Sequence, residues 1–286
     1  MRDRYIYLGS WFRSRDNHIE ESVSMIKQDI NKLEEKSIFI IREAKTRFNN
    51  IAALWSMGKD STAMLAIARN AFLGKIPFPV IHIDNGIDFP ESYKFRDDLA
   101  DRWGMEVIVA KSKIKPEISG YSCCGANKTV ALKGVLKEYG FEALIVSIRR
   151  DEHAVRAKER YVSPRDKNFS WNYKDQPAEV WDSYSSKLDK RGHLRIHPLL
   201  DWNEIDIWSY IKRNRIPINP LYMSNNGYRY RSLGCTHCTV PVKSNAKSVT
   251  EIIKELETTK VEERSGRSMD KENEYVMQRL RQLGYM

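Results

Sequence analysis

Short apolar runs alternate with helical repeats over the first half of the chain. The runs IAALWS (51–56), PVIHIDNG (79–86), MEVIVAKS (105–112) and EALIVSI (142–148) predict buried strands. Residues 62–73, 89–104 and 129–139 repeat apolar positions at helical spacing between those strands. Strands that alternate with helices predict an α/β fold, a parallel twisted sheet with helices on both faces.

The flanking segments differ from this alternation. Residues 19–48 predict one or two helices, residues 151–195 are polar and irregular, and residues 203–213, 248–258 and 271–283 are again helical. We therefore expect N-terminal helices over 1–48, an α/β domain over 49–200 and a C-terminal helical extension over 201–286.

Composition limits the class of protein. In 286 residues no apolar run approaches the length of a membrane span, and residues 1–16 lack the apolar core of a signal peptide. We therefore expect a cytoplasmic protein. The net charge of +10 favours an anionic partner, which includes nucleotides, oxyanions and nucleic acids, although a solvated basic surface would have the same composition.

The segment Ser56-Met57-Gly58-Lys59-Asp60-Ser61 lies between a predicted strand and a predicted helix. Gly58 permits close backbone approach, and the first turn of the helix offers unpaired N–H groups to an anion. Lys59 adds a cation, and the two serines add hydroxyl groups. These features predict a phosphate site that differs from the Walker pattern, although an ordinary strand-to-helix turn is the alternative.

This segment resembles the PP-loop (S-G-G-K-D-S) of ATP pyrophosphatases, which cleave ATP between the α and β phosphates. The wider chain resembles the small subunit of bacterial ATP sulfurylase and the PAPS and APS reductases, which share an adenine nucleotide alpha-hydrolase-like fold. The matching stretches are 33–48, 78–100, 149–152, 157–166, 197–211, 231–235 and 262–286.

Two further strand ends carry candidate ligand residues, because α/β folds bind ligands at the carboxyl edge of the sheet. Asp84 is expected to hold the ribose or adenine of a nucleotide beside the turn at Gly86, unless this is a plain βα turn. Arg149, Arg150 and Arg156 suit bidentate recognition of phosphate or sulfate. The resemblance implies that they face the adenylate and its acceptor, and an exposed charge run is the alternative.

The resemblance implies one reaction type. ATP binds on Ser56, Gly58, Lys59, Asp60 and Ser61 with Mg²⁺, an oxyanion acceptor attacks the α-phosphorus, and pyrophosphate leaves. Lys59 and the loop amides would stabilise the transferring phosphate. The catalytic set is then Lys59, Asp60, Arg149 and Arg150, with Asp84 and Gly86 on the nucleotide.

The four cysteines form two tight pairs, Cys123-Cys124 and Cys235-x-x-Cys238. This pattern resembles the cluster ligands of APS reductases and predicts a [4Fe–4S] cluster. Structural zinc and four unrelated buried thiols are the alternatives. The reductases use a cysteine in a C-terminal tail, and no cysteine follows Cys238, so we expect no thiol-dependent reductase.

Between Asp206 and Glu251 the chain has 44 residues without an acid. Cations interleaved with aromatic side chains suit nucleic acid, since the cations neutralise phosphates and the aromatic faces stack on bases. A solvated basic face or a docking surface for a partner subunit is the alternative. The basic and aromatic residues are Lys212, Arg213, Arg215, Arg229, Arg231, Lys243, Lys247, Trp208, Tyr210, Tyr222, Tyr228 and Tyr230.

Three hypotheses for function follow. The first is activation of a DNA backbone phosphate for sulfur incorporation, as in the iron–sulfur members of the Dnd and Ssp phosphorothioation systems, with a cysteine desulfurase and DNA as partners. Transfer-RNA thiolation is a variant of it. The second is a sulfate adenylyltransferase small subunit with a GTPase partner. The third is a non-catalytic nucleotide- or metal-binding module. The resemblance also allows for a homodimer.

Overall fold

A six-stranded sheet forms the centre of the protein. In this computed structural model, which describes residues 29–111, 122–174, 176, 179–180, 183–184 and 192–266, the strand order is β3-β2-β1-β4-β8-β5. All neighbours pair in parallel except β5, which is antiparallel to β8. The six strands are β1 (Ile51–Leu54), β2 (Val80–Asp84), β3 (Val107–Lys111), β4 (Ala143–Ile145), β5 (Val162–Arg165) and β8 (His193–Ile196).

Seven α-helices are found in the described residues. They are α1 (Ile30–Arg47), α2 (Lys59–Ala71), α3 (Pro90–Trp103), α4 (Ser122–Tyr139), α5 (Ala154–Ala157), α6 (Glu204–Asn214) and α7 (Val249–Thr258). Short strands β6 (Glu179–Val180) and β7 (Ser183–Tyr184) pair with each other, as do β9 (Tyr228–Arg229) and β10 (Val242–Lys243). The predicted helix over 271–283 and residues 19–28 lie outside the described residues.

The predicted α/β fold is confirmed, with a mostly parallel sheet and a helical C-terminal part. Right-handed crossovers place α2 and α3 on one face of the sheet and α4 on the other. Helices on both faces leave β1 wholly buried, which explains why its sequence reads as a continuous apolar run. The division into 1–48, 49–200 and 201–286 stays a prediction.

The region 151–195, predicted to be irregular, contributes strand β5 and most of β8. Pro164 lies within β5, where it is tolerated because β5 is an edge strand and one of its sides needs no ladder hydrogen bonds. The proline concealed the strand from the sequence pattern. No described helix is long and apolar enough to cross a membrane.

The strand order fixes the position of the ligand site. From β1 the chain moves outward to β2 and β3, then returns to place β4 on the other side of β1. The carboxyl ends of β1 and β4 therefore flank a topological switch point, where open α/β sheets bind ligands. The segment 56–61 follows β1 directly, and Arg149 follows β4.

Candidate active site

The loop 56–61 turns sharply from β1 into α2. Met57 has a positive φ of 57°, and Gly58 is the N-cap of α2. A Cβ atom at Gly58 would lie 3.3 Å from the hydroxyl groups of both Ser56 and Tyr222, so a side chain would crowd the loop. The Tyr222 hydroxyl accepts a hydrogen bond of 2.8 Å from the backbone N–H of Lys59. The first turn of α2 is thus open to a ligand on one side and held by Tyr222 on the other.

Lys59 is enclosed by carboxylates. Its side chain is 1% exposed, and its Nζ lies 3.5 Å from Asp60 and 3.8 Å from Glu204 and pairs with Glu263. Burial alone would lower the pKa of Lys59, but the charges of Glu263 and Glu204 outweigh burial and raise it. Lys59 is therefore a fixed buried cation at the start of α2.

Arg149 brings a second buried cation to the same place. It donates 2.8 Å to Asp151 and pairs with Asp60 and Glu263, with no exposed side-chain surface. Burial opposes its charge, yet Glu263 and the neighbouring carboxylates raise the pKa of the guanidinium above its ordinary value. The structure thus brings together three predicted site residues, Lys59, Asp60 and Arg149.

Glu263 is a site residue that sequence reasoning missed. It lies in a 3₁₀ turn, Glu263–Gly266, after α7, and its carboxylate bridges Lys59 and Arg149. Burial would raise the pKa of Glu263, but the charges of Arg149 and Lys59 hold it well below its ordinary value. The only sequence signal was the wider match of residues 262–286, in which Glu263 has no distinguishing feature.

The ion-pair network is balanced in charge within the described residues. Arg156 pairs with Glu152, whose other oxygen lies 4.0 Å from Arg264, and Arg231 binds Glu204 at 2.7 Å. Burial would raise the pKa of Glu152, yet Arg156 and Arg149 lower it to about 2. The network holds five cations (Lys59, Arg149, Arg156, Arg231, Arg264) and five carboxylates (Asp60, Asp151, Glu152, Glu204, Glu263).

Within the part of the chain that the structure describes, each cation of this network is matched by a carboxylate. A bound triphosphate would therefore displace a carboxylate, draw on Lys128 of the cleft or arrive with a metal ion. Oxygens of Asp60, Glu152 and Glu263 lie within 4.8 Å of one another. Carboxylate oxygens are suitable ligands for a hard divalent cation such as Mg²⁺.

A cleft opens beside this network at the carboxyl edge of the sheet. Its cavity volume of about 160 Å³ is many times that of one water, so it suits a small molecule. Lys59, Asp60, Glu152, Arg156 and Arg264 line its charged part. Its other walls are the ends of β1, β2 and β4, Lys128 of α4 and the segment 232–234.

Three predicted site residues, Asp84, Gly86 and Arg150, lie outside the lining of the cleft. The Asp84 carboxylate accepts hydrogen bonds from the Gly86 backbone N–H at 2.8 Å and the Tyr93 hydroxyl at 2.7 Å, so it closes its own βα turn. Gly86 allows that turn through its φ of 76°. Arg150 pairs with Asp201 and lies over the Tyr161 ring, 5.2 Å from its centroid. Their predicted roles stay predictions, and His82 and Asp88 line the cleft near Asp84 instead.

The cysteine pairs lie on two elements that both reach the cleft. Cys235 and Cys238 are buried and share a turn in which the Cys238 N–H donates to the Cys235 carbonyl at 3.2 Å. Cys123 and Cys124 lie in the first turn of α4. Lys128 of α4 and Gly234 line the same cleft, so the helix and the turn that carry the two pairs meet at one cleft.

Part of the acid-free stretch is internal. Arg229 is buried and binds Glu255 at 2.8 Å, and Arg231 binds Glu204. Trp208, Tyr210 and Tyr222 belong to the hydrophobic core. These residues have acidic or apolar neighbours within the fold, whereas the lysines at 212, 243 and 247 are exposed.

The fold and site define a class of protein, a PP-loop α/β enzyme with a cleft at the switch point. Solved structures share this fold. Candida glabrata FMN adenylyltransferase in complex with ATP has a TM-score of 0.53 and 16% identity, covering 90% of this chain and 81% of that chain. Yeast FAD synthetase in complex with FAD has a TM-score of 0.51 and 17% identity, covering 87% and 96%.

A family model, the phosphoadenosine phosphosulfate reductase domain, matches residues 50–241, and the chain belongs to this family. Sulfate adenylyltransferase subunit 2 of Aliivibrio fischeri (strain MJ11) is 37% identical, over 90% of this chain and 97% of its own length. The protein of the same name from Marinomonas sp. (strain MWYL1) is 39% identical, with the same coverage.

These relatives confirm the predicted adenylyltransferase-type enzyme, and they correct the prediction of its acceptor. The expectation of DNA phosphorothioation is wrong, because relatives that match almost the whole chain are named sulfate adenylyltransferase subunit 2. The expected desulfurase and DNA partners have no support once that function is set aside. Trp208, Tyr210, Tyr222 and Arg229 of the acid-free window are buried, so they do not contribute to the nucleic-acid surface that the sequence suggested.

Proposed function

We propose that this protein transfers the adenylyl group of ATP to sulfate and releases pyrophosphate, as the small subunit of a sulfate adenylyltransferase. The convergence of Lys59, Asp60 and Arg149 at the switch point carries this proposal. The names of its full-length relatives support sulfate as the acceptor.

The first step is the binding of ATP with its triphosphate at the first turn of α2, where helix N–H groups and Lys59 favour negative charge. A sulfate oxygen then attacks the α-phosphorus, forming a new P–O bond. The bond from the α-phosphorus to the α,β-bridging oxygen breaks, and pyrophosphate leaves with that electron pair. Lys59 and Arg149 stabilise the charge that develops on the transferring phosphate.

Mg²⁺ fits the carboxylates of this site. Asp60 and Glu152 would hold the ion, since their oxygens lie close together and supply the ligand type that it prefers. The ion would offset phosphate charge that the balanced ion-pair network leaves unmatched.

Two arginines of the cleft are the best candidates for binding the sulfate acceptor. Arg156 and Arg264 both line the cleft, and both neighbour the Glu152 carboxylate. Guanidinium groups present paired donors that match the oxygens of sulfate. Arg150 is tied to Asp201, so its predicted role in orienting the acceptor would require that pair to open.

A second subunit is part of this proposal. The relatives carry the name subunit 2, which implies a complex with a further, larger subunit. The family resemblance gives that subunit as a GTPase. Lys243 and Lys247 of the acid-free stretch are exposed and suit a docking surface with acidic side chains.

We also propose that the four cysteines hold a [4Fe–4S] cluster. The two buried thiols share one turn, and the other pair lies in the first turn of α4, a helix that reaches the same cleft. Thiolates are the ligands of such clusters. When bound, the cluster would supply a redox-active centre linking these two elements, and no step of adenylyl transfer passes through it.

The function is tested by sulfate-dependent pyrophosphate release from ATP, with the purified large subunit added in a parallel series. We expect stimulation by sulfate and none by DNA. Lys59→Ala gives the background rate. Stimulation by DNA alone would overturn the proposal, and so would a rate of pyrophosphate release that is independent of sulfate in both series.

The cluster is tested by metal analysis of anaerobically purified protein. We expect brown protein with about four irons per chain, and loss of colour in Cys235→Ser. Colourless protein that contains one zinc would favour a structural zinc site instead.

A further inference from the structure

Tyr222 joins the C-terminal part of the chain to the loop 56–61. It ends a 3₁₀ turn, Pro220–Tyr222, and is 1% exposed, with its ring packed edge-on against Trp208 at 5.3 Å. Its hydroxyl accepts the Lys59 backbone N–H at 2.8 Å, across 163 positions of sequence. The Lys59 ammonium also lies 5.9 Å from the centroid of the same ring, within the range of a cation–π contact. One tyrosine therefore contacts both the backbone and the side chain of Lys59.

The turn that carries Tyr222 is itself held in place. The Asn219 side chain accepts a hydrogen bond of 3.1 Å from the Leu221 backbone N–H and donates one of 2.8 Å to the Ser92 hydroxyl. Asn219 and Ser92 are both buried, and Ser92 lies in the first turn of α3. Buried polar groups that are paired in this way make their surroundings rigid. The Tyr222 hydroxyl is therefore a fixed support for the loop.

The loop needs a support because its backbone is strained. Met57 has a φ of 57°, which costs free energy for a residue other than glycine, and such strain persists only where surrounding contacts hold it. Within the loop, the Ser61 hydroxyl accepts the Ser56 N–H at 3.3 Å and donates to the Gly58 carbonyl at 3.1 Å. Tyr222 adds a contact to the loop backbone from a distant part of the chain.

The same bond affects which N–H groups of the first turn of α2 are available to a phosphate. The first N–H groups of a helix have no partner within it, and here they belong to Lys59, Asp60 and Ser61. Tyr222 accepts the N–H of Lys59. Those of Asp60 and Ser61 make no backbone hydrogen bond in the part of the chain that the structure describes, and both residues line the cleft. A phosphate at this turn therefore meets the N–H groups of Asp60 and Ser61.

We infer that Tyr222 is a positioning residue for ATP, because its hydroxyl fixes the first turn of α2 so that Asp60 and Ser61 present their N–H groups to the phosphates. The inference rests on the proposed use of ATP, and Tyr222 acts through the loop. Tyr222→Phe removes the hydroxyl and keeps the ring. It leaves the Lys59 N–H without its partner and the strained loop without its support. We expect the Kd for ATP to rise roughly tenfold, as the loss of one hydrogen bond predicts.

The test is titration calorimetry of the full chain with ATP, alongside thermal melting. Tyr210→Phe is the matched control. Tyr210 is also buried, packs edge-on against a tryptophan at 5.3 Å and donates one hydrogen bond of 2.7 Å, to Glu34. Tyr210→Phe should lower the Tm and leave the Kd for ATP unchanged. In the pyrophosphate-release assay, Tyr222→Phe should raise the KM for ATP by the same factor as the Kd and leave the KM for sulfate unchanged.

A second variant connects the effect of Tyr222 to the loop. A Cβ atom at Gly58 would lie 3.3 Å from the Tyr222 hydroxyl, and Tyr222→Phe removes this contact. Gly58→Ala should therefore weaken ATP binding by a smaller factor in Tyr222→Phe than in the natural protein. Equal factors in the two backgrounds would show that the two residues act independently, and would contradict the inference.

The outcomes separate this inference from the proposed function. Unchanged or tighter ATP binding by Tyr222→Phe, or an equal loss in Tyr210→Phe, would overturn the role of Tyr222, while use of ATP still stands. If the natural protein binds no ATP, the proposed function fails as well.

Hydrogen exchange of the natural protein decides the question if Tyr222→Phe does not fold. The Lys59 amide should be protected without ATP, and the amides of Asp60 and Ser61 should become protected when ATP binds. Protection of the Lys59 amide that appears only with ATP would overturn the inference.

Discussion

The carboxylate of Glu263 occupies the two cations that the ATP phosphates are expected to use. Glu263→Gln removes its charge and keeps its size. The amide should hold Lys59 and Arg149 more weakly than the carboxylate does, because charged partners form stronger hydrogen bonds. We therefore predict that Glu263→Gln binds ATP more tightly than the natural protein.

The magnitude follows from the two bonds that change. A hydrogen bond between charged groups is worth about 1.5–3 kcal/mol, against about 0.5–1.5 kcal/mol for a neutral acceptor. Summed over both bonds, displacing the amide from the two cations costs about 2 kcal/mol less than displacing the carboxylate. Because each 1.4 kcal/mol is a factor of ten, the Kd for ATP should fall roughly 30-fold.

The same weakening of the two bonds should lower the stability of the protein when no ATP is bound. A cost of about 2 kcal/mol corresponds to a fall in Tm of about 4–8 °C for a chain of this size. The assay is titration calorimetry with ATP and Mg²⁺, alongside thermal melting with and without ATP. Saturating ATP should restore the Tm, because the phosphates replace the lost charge.

Glu262→Gln is the matched control, since it makes the same change in charge at an exposed neighbour. It should leave both the Kd and the Tm unchanged. Weaker ATP binding by Glu263→Gln would refute competition between carboxylate and phosphate. If that weakening disappeared without Mg²⁺, Glu263 would be a metal ligand; if it persisted, Glu263 would position the two cations.

Three further predictions concern the same region. Lys59→Met should abolish measurable pyrophosphate release and cost about 3–5 kcal/mol of stability, because buried carboxylates lose their partner. Arg149→Lys should slow pyrophosphate release roughly 100-fold, because lysine cannot make the forked contacts of the guanidinium. Arg150 is partly exposed, so Arg150→Lys should change the free energy of unfolding by less than about 1 kcal/mol. Stability should fall as pH drops from about 6.5 towards 4, because unfolded histidines take up protons there while folded His82 and His193, with pKa values of about 4 and 2, do not.

Each of these has a control. Saturating sulfate should not rescue Lys59→Met, and rescue would show that Lys59 acts on the acceptor. Equal losses of pyrophosphate release in Arg149→Lys and Arg150→Lys would contradict the roles inferred from the different contacts of the two arginines. For the pH series, His82→Phe should flatten part of the slope, and an unchanged Tm between pH 7 and pH 5 would show that the buried histidines are protonated in the folded state.

The sequence pattern predicted the elements of the sheet well because parallel strands buried on both faces are short apolar runs. Because the carboxyl ends of parallel strands meet at one edge of the sheet, the sequence alone predicts that the residues after β1 and β4 lie close together. Lys59, Asp60 and Arg149 are in contact for this reason. The edge strand β5 was missed because Pro164 breaks its pattern.

Glu263 could not be found in the same way. It is separated from Lys59 by 204 residues, and no strand register or helical repeat connects them. Its position depends on how the chain after α7 returns to the sheet edge, which is a matter of tertiary packing. Arg150 lies apart from the loop because it begins the 3₁₀ turn Arg150–Glu152 and its side chain pairs with Asp201, whereas Arg149 turns towards the loop. Its predicted role stays a prediction.

The acid-free stretch shows why a local count of charge predicts partners poorly. Three of its arginines pair with acids outside the window, in Glu204, Glu255 and Glu34 of α1. The absence of acids within a window therefore does not leave all of its cations available to a partner. The same reasoning applies to the phosphate site, where Lys59 looks like an available cation in the sequence but is matched by carboxylates in the fold. The affinity for ATP at this site therefore depends on which carboxylate the phosphates displace. The Glu263→Gln variant tests whether that carboxylate is Glu263.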